Sequence, residues 1–180
     1  MEKSLRANQT TSRRTTPSKD AIALLKADHR QVEKWFSQFK KARAASKKGR
    51  LAEQICNALK VHTTIEEEIF YPAFLAATED RDMHHEAEVE HAGAKKLIAE
   101  IEAISADDDY YDAKVVVLSE MIKHHVKEEE QPGGMFAKAR KSDMDLDDLG
   151  KRMKTRKAQL EVNGKGSAGG SRQIARLLDA

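Results

Sequence analysis

Two short stretches, His62-Thr63-Thr64-Ile65-Glu66 and His125-Val126-Lys127-Glu128-Glu129, constrain this chain more than any other feature. Each sets a His and a Glu four residues apart, about one helical turn, so both side chains leave the same helix face. The apolar residues around them predict that this face points inward. One series reads Leu51, Ile55, Leu59, His62, Glu66, Ile69, Ala73 and the other Tyr111, Val115, Leu118, Ile122, His125, Glu129. Both step by three or four, the spacing of a buried helical stripe. An uncompensated carboxylate on such a stripe costs several kcal/mol. Two inward His–Glu pairs in one small domain therefore imply a shared partner, and a metal ion satisfies both.

Two more histidines fall on apolar stripes. His29 continues Ile22, Leu25, Val32, Phe36 and Phe39, and His91 continues Ala87, Ala94, Ile98 and Ile101. Four helices follow, over about Lys19–Ala45, Arg50–Ala77, a third carrying His91, and Tyr110–Glu130, with Pro72 a kink near the end of the second. Thr16-Pro17-Ser18, Thr78 and Ser142 are the expected helix caps. Short polar loops predict an all-α, up-down-up-down four-helix bundle. Counted from the Lys47-Lys48-Gly49 turn, His29 lies about 17 residues before it, and His62 and Glu66 about 14 and 18 after it. Counted from Ser105–Asp109, His91 lies about 14 before, and His125 and Glu129 about 16 and 20 after. At about 1.5 Å per residue these heights agree to roughly one turn, so the candidate ligands form one layer.

Composition sets the boundaries. Residues 1–18, rich in Ser, Thr and Arg, are expected to be a disordered tail, and Arg13-Arg14 lacks the apolar stretch that an export signal needs. The bundle spans 19–140. An amphipathic helix over 141–162 carries Leu146, Leu149, Met153 and Leu160, and 163–180 is a flexible basic tail with a Gly/Ser linker over 163–171. Although the chain carries +2 overall, residues 20–136 hold sixteen basic and twenty-three acidic groups, a net of −7. An acidic domain is a poor nucleic-acid binder. No stretch has the ~18 consecutive apolar residues of a membrane span. The single Cys56 excludes an internal disulfide and fits a reducing, cytoplasmic compartment, where it is expected as a packed thiol. Mixed nitrogen and oxygen ligands suit iron or manganese, whereas structural zinc usually recruits thiolates.

At these residues the sequence resembles the hemerythrin family, specifically the bacterial hemerythrin-like (HHE) cation-binding proteins. The pattern H–HxxxE–H–HxxxE is met by His29, His62/Glu66, His91 and His125/Glu129, supported by Leu24–His29, Glu66–Pro72 and Glu88–His91. The resemblance implies a non-haem centre of two irons, ahead of manganese or zinc, bridged by Glu66, Glu129 and an oxo or hydroxo group. No catalytic residue is implied apart from the ligands. Oxygen carriers of the family have a second His one turn before His91, where this chain has Ala87, and end the last motif in Asp rather than Glu129. Fewer histidines leave more sites for water or peroxide. The expectation is a protein of the oxidative-stress response that reacts with H2O2, O2 or NO, with catalase-like activity. The alternative is a non-catalytic iron or oxygen sensor or storage protein. Its partner is a small oxidant, and the chain is expected as a monomer or weak dimer.

Other residues fit less well. His84 stands seven residues before His91, about 10 Å along the axis, and His85-Glu86 lacks the second His of H-E-x-x-H. His124 lies about 100° round from His125 and reads as a surface group or a partner of a ligand. Glu128, three residues after His125, is the substitute if Glu129 is not the ligand. Glu88 and His91 make one E-x-x-H, where ferritin-like di-iron proteins need two. The rest of the Glu66–Glu68 and Glu128–Glu130 runs read as solvated faces.

Overall fold

Asp20 opens the first helix: its Oδ1 accepts the Ala23 N–H at 2.7 Å, and Arg140 holds its other oxygen at 3.1 Å. The computed structural model describes residues 20–178, and side-chain surroundings for 20–162. The caps expected at Thr16–Ser18 and the N-terminal tail lie outside that range. Helix α1 spans Ala21–Lys41, and after Ala42–Ala44 the chain returns as α2 (Ala45–Ile65). Lys47-Lys48-Gly49, expected as the turn, is thus helical. Elongating a helix already fixed by the packed Leu51 and Ala52 outweighs the ~1 kcal/mol that one Gly costs.

Helix α2 runs without a break into a π-helical turn (Glu66–Phe70) and then α3 (Tyr71–Thr78). The irregularity expected at Pro72 therefore lies in the turn before it. Pro72 has no N–H, and its ring would strike the carbonyl four residues back. The wider turn, closed by Tyr71 N–H to Glu66 O, relieves that conflict. Glu79 adopts a left-handed conformation (φ 56°), and Asp80 then caps α4 (Arg81–Glu102) by accepting the Met83 N–H. Thr78 instead closes α3, its hydroxyl donating to Phe74 O at 2.8 Å. Helix α5 is Tyr111–Glu130, α6 is Met135–Ala139 and α7 is Leu146–Leu178. Asp145, not Ser142, caps α7, accepting the Asp148 N–H at 2.9 Å; Ser142 donates to Ala139 O. In both corrections an Asp stands next to the first helical residue, nearer than the hydroxyl residue expected as cap. The α7 backbone continues over 163–171, where composition predicts a linker.

All regular elements among the described residues are helical: an up-down-up-down bundle with α6 and α7 added at one end. No helix there is long and apolar enough to cross a membrane. Cys56 is a buried thiol, as expected, and burial raises its pKa to about 12. The interior divides into two apolar clusters. One gathers Val32, Phe36, Leu59, Ala94, Ile98, Leu118 and Ile122, and the other Leu25, Ile65, Phe70, Phe74, Ala87, Met135, Phe136, Leu149 and Met153. Along each bundle helix the candidate ligands stand at the boundary between them. His29 separates Leu25 from Val32, and His91 separates Ala87 from Ala94. The polar layer is thus closed by hydrocarbon on both sides.

The turn after α5 depends on two glycines. Gly133 has φ +82°, and a Cβ on Gly134 would sit 2.1 Å from Glu128 O and 2.9 Å from Glu129 O. Those backbone atoms carry one of the candidate ligands and cannot yield cheaply. Gly134→Ala should cost about 3 kcal/mol, the upper end for overpacking, read as a lower urea midpoint with an unchanged m-value.

Candidate metal centre

The six predicted residues meet in one place. His29, His62, His91 and His125 are all at most 4% exposed, Glu66 is 0% and Glu129 2%. The imidazoles fall into two facing pairs: His29 and His62 bring their Nε2 atoms to 3.1 Å, and His91 and His125 to 3.3 Å. Each carboxylate spans the pairs. Glu66 Oε2 lies 3.2 Å from His62 Nε2 and 3.4 Å from His91 Nε2. Glu129 Oε2 lies 3.4 Å from His29 Nε2 and 3.7 Å from His125 Nε2. Both Glu66 oxygens and Glu129 Oε2 have no hydrogen-bond partner. Bonds of about 2.1 Å to a common ion, set at right angles, would hold neighbouring donors about 3.0 Å apart. Six buried donors converging at such spacing, with bare carboxylate oxygens among them, fit a metal. His29, His62 and Glu66 form one group able to hold an ion, and Glu66, His91 and His125 another, with Glu66 common to both.

The outward nitrogens explain why every Nε2 points inward. His29 Nδ1 meets Glu130 Oε1 at 2.8 Å, His91 Nδ1 meets Glu67 Oε1 at 3.0 Å, and His125 Nδ1 meets Glu90 Oε2 at 2.7 Å. Carboxylates only accept, so each of these Nδ1 atoms carries the hydrogen and leaves Nε2 a lone pair for an ion. Asp28 faces His62 Nδ1 at 3.6 Å, a charge contact too long for a hydrogen bond. Three of the four carboxylates are themselves paired with Lys or Arg: Glu130 with Lys26 and Arg30, Asp28 with Lys157, and Glu67 with Lys95. Glu67 and Glu130 are therefore not the purely solvated faces expected from sequence.

Tyr71 also belongs to the layer and was not among the residues the sequence pointed to. Its hydroxyl lies 3.2 Å from His91 Nε2 and donates to Glu129 Oε1 at 3.3 Å. In an α-helix, residue 71 would point about 140° away from residue 66. The π turn brings it round, and only Pro72 hinted at that. Glu129 faces inward, while Glu128 faces His124 Nε2 at 3.1 Å on the surface. His124 is exposed, as expected. His84 packs edge-on against Tyr71 with ring centroids 6.1 Å apart, outside the layer, and Glu88 faces His84 at 3.6 Å. His85 is exposed.

Without an ion the layer is electrostatically divided. Burial and the neighbouring His62 pull His29 down to about 4. Burial would also lower His62, but Glu66 and Asp28 outweigh it and lift the pKa to about 10. Glu129 is pushed up to about 8 by burial and by the charge of Glu66. Burial also raises Glu66, but the His62 charge more than reverses this and holds it well below 4.5. Tyr71 is raised well above 10 by burial and by Glu66, and keeps its proton.

Residues 20–138 match the hemerythrin HHE cation binding domain, about two thirds of the chain. The chain belongs to this family. It is accordingly a metal-binding protein. Its structure is similar to that of a hemerythrin HHE cation-binding-domain protein from Mycobacterium kansasii, with a TM-score of 0.66 and 22% identity, over 80% of this chain and 88% of that one. At that identity the likeness speaks for the fold alone. No curated protein sequence matches.

Two outcomes follow from the layer. His62→Ala or His125→Ala should remove most of the bound metal, whereas His84→Ala or His124→Ala should leave it nearly unchanged, measured by elemental analysis; equal losses in all four would refute the layer. The metal-free protein should lose stability as pH rises above about 6.5. The raised His62 pKa contributes stability that is present below its unfolded value of 6.5 and is lost as pH climbs to about 10. Glu129 acts in the same direction, because the unfolded carboxyl ionises above 4.5 while the folded one resists to about 8. Thermal melts of the metal-free protein between pH 6 and 10 measure this.

Proposed function

We propose that the layer holds two iron ions, with His29, His62, Glu66, His91, His125 and Glu129 as ligands, and that the protein reacts with a small oxidant. The oxidant is H2O2, O2 or NO, and the reading is of a catalase- or peroxidase-like role in redox stress. The observation that carries it is the cross-bridging: each carboxylate faces one imidazole from each pair. That arrangement suits two ions side by side, which would supply redox chemistry toward an oxidant when bound.

The chain's own contribution is positioning and proton control. The four outer carboxylates keep the imidazoles oriented and neutralise part of the added charge. Tyr71 holds its proton at neutral pH and donates a hydrogen bond to Glu129 Oε1, which helps fix the orientation of that carboxylate. The apolar clusters on both sides exclude bulk water, which strengthens every charge interaction in the layer. Ala87 stands one turn before His91 and lines the cavity that reaches His125 and Glu129, leaving room for an exchangeable small ligand.

A non-catalytic sensor of iron or oxygen is the second reading, favoured by two contacts of α7. Helix α7 holds Glu68 of the π turn through Arg156 (2.6 and 2.8 Å), and Lys157 pairs with Asp28 beside His62. A change at the layer thus has a route to the C-terminal helix. Oxygen evolution on adding peroxide to the iron-loaded protein favours the first reading. Metal-dependent hydrogen exchange in α7 without turnover favours the second.

Ala87→His should fill the free coordination position. The iron-loaded variant should consume peroxide at least about tenfold more slowly and hold azide longer, at a stability cost of about 1–3 kcal/mol. Unchanged peroxide kinetics in a folded, loaded variant would show that residue 87 does not face the reacting position.

A further inference from the structure

The charge around the layer is balanced on three sides and unbalanced on the fourth. Glu130, Asp28 and Glu67, behind His29, His62 and His91, each pair with Lys or Arg. Glu90, behind His125, pairs with neither among the described residues. Its second oxygen faces the exposed His124 at 3.5 Å, and Glu128 turns toward the same imidazole at 3.1 Å. Glu86, one turn before Glu90 on α4, likewise has no cationic partner among the described residues. Two carboxylates thus share one exposed imidazole, and Glu86 lines the same cavity without a cation of its own among those residues.

This is also where the surface opens toward the layer. A cavity of about 80 Å³ lies between α4, α5 and the turn into α6, with Glu86, Glu90 and Glu128 at its rim. Its inner wall is formed by His125 and Glu129, and its sides by Ala87, Met83 and Met135. Glu129 is 98% buried, and its Oε2 has no hydrogen-bond partner. The acidic surface continues outward, since Glu86 and Glu90 also line a shallower depression with Asp82.

We propose that this cavity is the port through which a divalent cation enters the buried centre, with Glu86, Glu90 and Glu128 as the collecting rim. The inference rests on the di-metal reading above and adds the route. A cleft lined by one sign of charge concentrates the opposite ion and accelerates its capture by about 10–10³-fold. The carboxylates hand a partly dehydrated ion inward past Ala87 to Glu129, whose bare oxygen is the first buried donor it meets. The same rim repels anions, so azide or superoxide gains no help from it, while neutral H2O2, O2 and NO pass unaffected.

The test is the rate of metal uptake. Metal-free full-length protein is mixed with Co²⁺ alone in a stopped-flow instrument, following the visible absorbance of the bound ion, and final content is measured after desalting. The E86Q/E128Q variant should load at least about tenfold more slowly at low salt yet reach the same final content. Raising the salt from about 0.02 to 0.5 M should slow the wild type and leave the variant nearly unchanged, because the Debye length falls below the size of the rim. E102Q, which removes a carboxylate paired with Lys60, should load like the wild type. Equal rates for E86Q/E128Q and the wild type would overturn the port. So would a lower final content in E86Q/E128Q, because the rim would then hold the metal rather than pass it. A wild-type chain that takes up no Co²⁺ removes the metal reading itself, a result distinct from equal rates at full content.

Discussion

Two carboxylates, Glu66 and Glu129, sit side by side at the middle of a helical bundle with almost nothing to donate to them. The rest of the molecule is arranged around that cost. A buried carboxylate without donors is destabilising by several kcal/mol, and two with like charge are worse. In the metal-free chain, protons are shared out unevenly to relieve the conflict: Glu129 stays protonated to about pH 8, and His62 holds a proton against Glu66. A metal ion would replace those protons with charge that both carboxylates and the facing imidazoles could use. Folding and metal binding are therefore linked.

The second tier of the design is a set of side chains that hold the first in place. Each ligand imidazole has a carboxylate behind it, and most of those carboxylates have a cation behind them. Through these relays the layer reaches elements that donate no ligand, above all α7, whose Lys157 and Arg156 grip Asp28 and Glu68. Leu149 and Met153 bury α7 on the same apolar cluster that closes one side of the layer. Docking of α7 and the order of the site are thus one packing problem.

The π turn at Glu66–Phe70 is the local irregularity on which the place of Tyr71 in the layer depends. Glu66 opens it and Tyr71 follows it, and Pro72 supplies the steric reason for it. An unbroken α-helix would keep Glu66 in the layer but carry Tyr71 away from Glu129. A single extra residue in one turn makes a core tyrosine a hydrogen-bond donor to Glu129.

Repeat spacing determined the fold class, the four inward stripes and the common height of His29, His62, Glu66, His91, His125 and Glu129. Helical periodicity is a local property, and burial of a stripe follows from it wherever a core exists. Other features depend on which faces of different helices meet, and no local spacing encodes that. Both Glu128 and Glu129 stood within reach of His125 in sequence; only the rotation of α5 against α1 and α4 turned one inward and the other out to His124. The pairing of Glu67 with His91 and of Glu130 with His29 likewise joins residues on different helices, so an acidic run read alone looks solvated. The caps fell on Asp20, Asp80 and Asp145 because helix ends are set by where packing stops, not by the first hydroxyl in the loop. Tyr71 entered the site because proline sterics widened one turn. The unbalanced acidic mouth at Glu86, Glu90 and Glu128 exists because cations from other helices reach three sides of the layer and not the fourth.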